Sequence, residues 1–254
     1  MFIRIFTLLF ILGTALLSVL LGMDSGQNIR QVTTDPAPDY HVKWSPDGKT
    51  LAFTSQRSGE PKIWLVAAEG GDPYKLETGS SGDHHISWAP DSERMTFDAQ
   101  WNEVPNIFAI SLDGGKPKRL SQDGIVDFQP CWSPDGSTIA FTSDRSGNMD
   151  IWIIPASAGK AKQLTFHDSR NDQASWSRDG TRIAFMSERS GKRDIWIVPD
   201  AGGDPVRFTE ESDNGWPSWS PEGKRIAFSS NQAGNTDIWM KDVDAKIGEE
   251  LKPK

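Results

Sequence analysis

The sequence predicts an all-β protein, a β-propeller built from five four-stranded blades. The first observation is a repeat whose anchor tryptophans are spaced by 44, 44, 44 and 43 residues. The second is that every repeat holds four short strand-like stretches separated by turn-forming residues. A period of about 40–45 residues with four strands is typical of a propeller blade. The anchors are Trp44, Trp88, Trp132, Trp176 and Trp219.

The first 23 residues form a separate N-terminal segment, predicted to be an apolar helix. Residues 5–22 carry no charge, and Arg4 precedes them. Their length lies between that of a cleaved signal peptide and that of a membrane span, so both readings stay open. Either one places the rest of the chain in the periplasm or another extracytoplasmic space, secreted or tethered to the inner membrane by residues 5–22.

One repeat shows how each strand is predicted. In the third repeat, residues 129–133 form the inner strand a, and Pro-Asp-Gly at 134–136 makes a tight turn. Residues 138–143 alternate in polarity and form strand b. Residues 150–154 form strand c, and residues 162–165 form the outer strand d. Such a blade buries both faces only when other blades stack on it.

A strand-like stretch before the first repeat, residues 28–34, is predicted to complete the fifth blade and close the ring. Its Val32 precedes Leu76, an apolar residue of strand d, by the same 44 residues. The residues from 247 onward are expected to be a loose tail. The propeller domain would then span residues 28–252. The alternative is an open or incomplete ring.

Composition argues against several classes of function. The net charge is −8 and no basic stripe is visible, so nucleic acid is not an expected partner. The single cysteine excludes an intrachain disulfide. The chain has no Gly-x-Ser-x-Gly elbow, no phosphate-binding glycine loop and no His-Glu-x-x-His motif. We therefore expect no catalytic residue and no enzymatic activity.

The repeat motif resembles the WD-repeat-like unit of the TolB propeller family. The shared elements are Trp-Ser-Pro-Asp-Gly, Ile-Ala-Phe-x-Ser, Arg-Ser-Gly and Asp-Ile-Trp, and the resemblance covers residues 28–252. It implies a protein-binding scaffold of the Tol–Pal system in the cell envelope, with an envelope protein or a peptidoglycan-associated protein as partner. TolB proteins carry an α/β domain before a six-bladed propeller, whereas this chain shows five repeats. The alternative is a propeller fragment or accessory domain of a prolyl-oligopeptidase-like peptidase or of a glycan-acting enzyme.

A ring of acids and amides is predicted where the inner strands begin. These residues stand five positions before each anchor tryptophan: Asp39, Asp83, Asp127, Asn171 and Asn214. Short polar side chains at such places commonly cap backbone amides. They could instead converge at the mouth of the central channel and bind a partner or a cation, with calcium as the candidate. Beyond calcium, no cofactor and no metal are expected.

The remaining candidates for partner binding are histidines and tryptophans outside the repeat motif. Loops that vary between repeats are the common place for binding residues. The candidates are His41, His84, His85, Trp101 and Trp216, with His167 on a similar loop. By contrast, arginines and aspartates that recur in most blades are predicted to serve architecture. These are Arg57, Arg145 and Arg189, and Asp150, Asp194 and Asp237.

Overall fold

The computed structural model describes residues 30–100, 103–113, 115–121, 124–210, 212–244 and 247. The chain divides into two compact units, Met1–Thr34 and Asp35–Lys254. The predicted N-terminal helix lies outside the described residues. No helix in the described part of the chain is long and apolar enough to cross a membrane.

The described strands form five antiparallel sheets, which confirms the five-bladed, all-β propeller. Blade 1 contains β1 (Asp39–Trp44), β2 (Thr50–Ser55), β3 (Lys62–Ala67) and β4 (Tyr74–Lys75). Blade 2 contains β5 (Asp83–Trp88), β6 (Arg94–Gln100), β7 (Pro105–Ser111) and β8 (Lys118–Arg119). Blade 3 contains β9 (Asp127–Trp132), β10 (Thr138–Ser143), β11 (Asp150–Pro155) and β12 (Lys162–Gln163). Blade 4 contains β13 (Asn171–Trp176), β14 (Arg182–Ser187), β15 (Asp194–Pro199) and β16 (Val206–Arg207). Blade 5 contains β17 (Asn214–Trp219), β18 (Arg225–Ser230) and β19 (Asp237–Asp242).

The turn between strands a and b forms as the sequence predicts. In blade 3, Asp135 Oδ1 accepts hydrogen bonds from Ser133 Oγ at 2.6 Å and from the Ser137 amide at 3.0 Å. Gly136 follows at φ 72°, a left-handed conformation that glycine adopts without steric penalty. The turn therefore aligns β9 with β10, and Trp132 lies opposite Ile139.

The apolar core lies between successive blades. Each blade has a leading face, which in blade 3 consists of Trp132, Ile139 and Phe141 and packs on blade 2. Each also has a trailing face, which in blade 3 consists of Ala140, Ile151 and Leu164 and packs on blade 4. A blade thus buries its two faces on its two neighbours, as expected for stacked repeats.

The predicted closing strand is not found where it can be described. Residues 30–34 contain no strand, residues 28 and 29 lie outside the described part, and the sheet of blade 5 has three described strands. The prediction rested on one apolar residue at the repeat spacing. Outer strands in the other blades are only two residues long, so their sequence signal is weak.

The predicted loose tail is also corrected at one position. Ile247 is 7% exposed and packs in a core cluster with Phe208 and Phe228. Its amide donates to Asp244 Oδ1 at 3.1 Å. The chain after blade 5 is therefore held against the propeller at this residue by apolar burial.

Candidate functional site at the propeller axis

Every inner strand carries a β-bulge at the same place. The pairing with strand b shifts between the second and fifth residues of each inner strand. The third residue has φ between 42° and 58°, a left-handed conformation that side chains rarely adopt. These five residues, which we name the axial cluster, are His41, His85, Gln129, Gln173 and Trp216.

The structure brings three of the predicted binding residues together in the axial cluster. The rings of His41 and His85 stack with centroids 5.3 Å apart and an interplanar angle of 27°. The ring of Trp216, in blade 5, stacks on His85, in blade 2, at 6.5 Å and 21°. Tyr40 meets His41 edge-on at 5.1 Å. Residues that are distant in sequence thus form one aromatic surface.

Hydrogen bonds between blades hold the backbone of this cluster. Gln129 Oε1 accepts from the Gln173 amide at 3.1 Å. Gln173 Oε1 accepts from the Trp216 amide at 2.6 Å. Asp98 Oδ1 accepts from the Gln129 amide at 2.9 Å and lies 2.8 Å from His85 Nδ1. Three of the five strained bulges, at Gln129, Gln173 and Trp216, are therefore positioned by a side chain of the preceding blade.

The electrostatics of the cluster favour the neutral form of His41. Burial lowers the pKa of His41, and the nearby His85 and His84 lower it further. The neutral ring of His41 and the Trp216 indole, which is 56% exposed, both stack on His85 and offer stacking area rather than charge. A cavity of about 290 Å³ opens beside Trp216, between blades 4 and 5, with Gln173, Met186 and Arg193 in its wall. These features suit an apolar or aromatic group of a partner.

Four of the five residues in the ring of acids and amides are buried, so their side chains are not exposed at the mouth of a channel. Asp83, Asp127 and Asn171 are fully buried. Asn214 is 2% exposed, and Asp39 is held by Arg57 Nη2 at 2.8 Å. No group of three or more histidine, cysteine or acidic side chains able to hold a metal occurs among the described residues. Partner binding through the ring remains a prediction.

The recurring arginines tie these ring residues into their own blades, as the sequence predicted. Arg145 Nη2 donates to both carboxylate oxygens of Asp127, at 2.8 and 2.9 Å. Its guanidinium also lies over the rings of Phe141 and Trp152, 5.1 and 4.9 Å from their centroids. Arg189 donates in the same way to Asn171 Oδ1 at 2.9 Å. These contacts join the start of strand a to the b–c loop.

The recurring aspartates connect one blade to the next. Asp150 Oδ1 accepts from Thr165 Oγ1 at 2.7 Å within blade 3 and from Asn171 Nδ2 at 2.9 Å in blade 4. Asp194 accepts from Asn214 Nδ2 at 3.1 Å between blades 4 and 5. Asn171 and Asn214 therefore serve the interfaces between blades.

The remaining predicted residues are His84, His167 and Trp101. His84 is half-buried in β5 with its ring 6.3 Å from that of His85. His167 Nδ1 accepts from the Ser169 amide in its own loop. Trp101 lies outside the described residues. Sequence reasoning missed Gln129 and Gln173, although comparing the residue three before each anchor tryptophan would have found both.

Five repeated blades around an axis, with an aromatic cluster on the inner strands, define the class of the protein as a β-propeller. Residues 83–253 match the family described as the PD40 TolB beta propeller domain. Because the match spans more than half of the chain, this protein belongs to that family.

Individual relatives agree with the family assignment. A segment of 47 residues is 43% identical to the Tol-Pal system protein TolB of Bordetella pertussis, and covers 18% of this chain and 11% of that protein. The fold matches the putative TolB from Agrobacterium tumefaciens with a TM-score of 0.76 and 26% identity, over 84% of this chain and 80% of that one. It matches TolB from Acinetobacter baumannii with a TM-score of 0.74 and 28% identity, over 87% of this chain and 56% of that one.

Proposed function

We propose that this protein is an exported, non-catalytic β-propeller that binds a protein partner in the cell envelope. The observation that carries the proposal is the axial cluster. It presents aromatic rings at a position of the inner strand where the repeats differ in chemistry, and exposed aromatic side chains often contribute most to protein–protein binding. The five residues of the axial cluster include no serine, threonine, cysteine or lysine that could act as a nucleophile.

The relatives support the same class of partner. The curated relatives that match are Tol-Pal system proteins named TolB, although the chain covers only 11% of their length. We therefore propose an envelope protein as the partner, for example the peptidoglycan-associated lipoprotein of the same organism. The contact residues we propose are Trp216, His41 and His85 first, with His84 at the edge of the contact, while a contact through Trp101 or the ring residues stays a prediction.

The alternative of a peptidase accessory domain rests on fold alone. A prolyl endopeptidase matches with a TM-score of 0.61 but 14% identity, and the match covers 36% of that chain. A puromycin-hydrolyzing peptidase of Mycobacterium tuberculosis matches similarly, at a TM-score of 0.65 and 14% identity. At such identity a shared propeller says nothing about a shared activity.

Calorimetric titration tests the proposal. The chain is titrated with the soluble domain of the peptidoglycan-associated lipoprotein from the same organism. We expect Trp216→Ala to weaken binding by about 30-fold, since a central aromatic contact is commonly worth about 2 kcal/mol or more. The matched control is Phe166→Ala, an aromatic residue that is 73% exposed between β12 and β13. Absence of binding by the unmodified chain, or an equal loss in the control, would contradict the proposal.

A further inference from the structure

We propose that a cavity between the loops of blades 4 and 5 binds a small zwitterion, an amino acid or short peptide that carries both a carboxylate and an ammonium group. The cavity has a volume of about 480 Å³, which is within the range of small-molecule sites. It lies among the loops that join β12 to β13, β14 to β15 and β16 to β17. It is distinct from the cavity beside Trp216, and the inference does not depend on the proposed function.

The cavity is lined by charges of both signs and by no apolar side chain. A ligand with a single charge would meet as many like charges as opposite ones. A zwitterion can place each of its two charges beside the opposite sign, so the lining favours a zwitterion. The charged lining residues are Arg170, Lys192 and Arg193, and Asp168, Glu188 and Asp213.

A buried carboxylate holds Arg170 at the cavity. Arg170 Nε donates to Asp172 Oδ2 at 2.6 Å, while 48% of the Arg170 side chain stays exposed. With Nε engaged, the two Nη groups of the guanidinium remain available as donors, because no hydrogen bond from them is found among the described residues. A guanidinium held in this way can bind a carboxylate through two parallel hydrogen bonds.

The architecture of the blade does not account for Asp172. This residue is 0% exposed, and its Oδ1 has no hydrogen-bond partner in the described part of the chain. Burial raises the pKa of Asp172, and the charge of Arg170 is the main influence that lowers it. Burying a carboxylate that is only half satisfied costs stability, so the pair needs a reason to be present. Holding Arg170 at the cavity is such a reason.

The pair of Arg170 and Asp172 occurs in blade 4 only. Recurring ion pairs, such as that of Arg145 with Asp127, form in several blades and serve the fold. A costly pair that is confined to one blade and lines a cavity therefore indicates binding. The residues at the Arg170 position in the other blades are Pro38, Gly82, Val126 and Asp213. Those at the Asp172 position are Tyr40, His84, Phe128 and Gly215.

The cavity also supplies a second guanidinium and two acceptors for an ammonium group. Arg193 is held by Asp213, with 3.6 Å between Arg193 Nε and Asp213 Oδ1. Glu188 and Asp168 are exposed, and no ion pair of their side chains is found in the described ranges. Their carboxylates are therefore free to accept hydrogen bonds from an ammonium group. Exposed charges are screened by salt, so binding should weaken as the ionic strength rises.

Titration calorimetry with glycylglycine at low ionic strength tests the proposal. Glycylglycine carries both charges, whereas its N-acetylated form carries only the carboxylate and its C-terminal amide carries only the ammonium group. We expect saturable binding of glycylglycine. Either blocked peptide should bind at least about 5-fold more weakly, because it loses one set of charge-assisted hydrogen bonds.

Two variants assign the charges of the ligand to residues of the cavity. Arg170→Lys keeps a positive charge beside Asp172 but loses the planar fork, so it should weaken glycylglycine binding at least about 5-fold. Glu188→Gln should weaken glycylglycine binding to a similar extent without weakening binding of the acetylated peptide. The matched control is Glu60→Gln, which removes the same charge from an exposed residue in the corresponding loop of blade 1. If Arg170→Lys fails to fold, Glu188→Gln carries the test.

Three results would overturn the proposal. One is the absence of saturable glycylglycine binding. Another is equal binding of the acetylated peptide, since the cavity would then be a simple anion site. The third is an equal loss in Glu60→Gln and Glu188→Gln, because the peptide would then bind elsewhere. None of these results bears on the titration with the peptidoglycan-associated lipoprotein, which tests the axial cluster separately.

Discussion

At the scale of single residues, recurrence separates architectural side chains from candidates for binding. Arg145 and its equivalents form corresponding contacts in blades 1, 3 and 4, each with the first residue of strand a in its own blade. The axial position differs, since the same strained backbone conformation carries histidine, glutamine or tryptophan. The fold fixes the backbone conformation at this position but not the type of side chain, which can therefore differ according to function.

Replacing Arg145 with alanine should destabilise the protein by about 3–5 kcal/mol. The substitution leaves the fully buried Asp127 carboxylate without its ion-pair partner, and it removes the packing on Phe141 and Trp152. Urea unfolding measures the effect. The control is Arg225→Ala, whose pair with Glu222 is largely exposed, so the expected change is within about 1 kcal/mol. Equal losses in the two variants would contradict this interpretation.

The pH dependence of stability should contain a contribution from His41. Because folding lowers the pKa of His41, the unfolded chain binds its proton more readily. The contribution to stability is therefore complete above the unfolded pKa of 6.5 and is lost as the pH falls through the lower folded value. His41→Gln should show a smaller loss of unfolding free energy between pH 7 and pH 5. An unchanged pH profile would refute this role.

At the scale of elements, each blade is aligned by its own turns and joined to its neighbour by a few polar contacts. Asp150, at the start of β11, bonds to the outer end of its own blade and to the first residue of β13. The same residue type in blade 5, Asp237, starts β19 and is exposed. The same position of the repeat is therefore buried in blade 3 and exposed in blade 5, so substitutions of Asp150 and Asp237 can be compared directly.

Asp150→Ala should destabilise the protein by at least about 2 kcal/mol, because it leaves the Thr165 hydroxyl and the Asn171 amide group without their acceptor. Asp237→Ala removes the same side chain from an exposed position and should change stability by less than about 0.5 kcal/mol. Thermal unfolding of the two variants measures the difference. Similar losses would show that blade 5 has a polar interface that the described structure lacks.

At the scale of the whole molecule, the blades behave as a row of stacked units in which each depends on its neighbours. Among the described strands, blade 5 contacts another blade on its leading face only, and its trailing face exposes Ile238 and Met240. Stability should therefore fall towards this end of the row, because less apolar surface is removed from water.

Hydrogen exchange should report that gradient. In dilute protein, the amides of β19 should exchange faster than those of β11 and β15, whose strands are covered on both faces. Mass spectrometry of peptides from the three strands provides the measurement. Equal protection of β19 in dilute protein would mean that its exposed face is covered within one chain.

The sequence alone determined the fold class, the number of blades, the a–b turn and the architectural role of the recurring arginines and aspartates. It could do so because these features depend on residues close together in the chain and recur in most repeats. The closing strand stays a prediction, because residues 28 and 29 lie outside the described part and an outer strand of two residues carries almost no local signal. Tertiary structure decided the rest. Ile195 and Ile238 occupy the same place in the repeat, yet one is buried and the other exposed, since burial depends on the neighbouring blade. Likewise, His41, His85 and Trp216 form one surface only because blades that are distant in sequence meet at the axis.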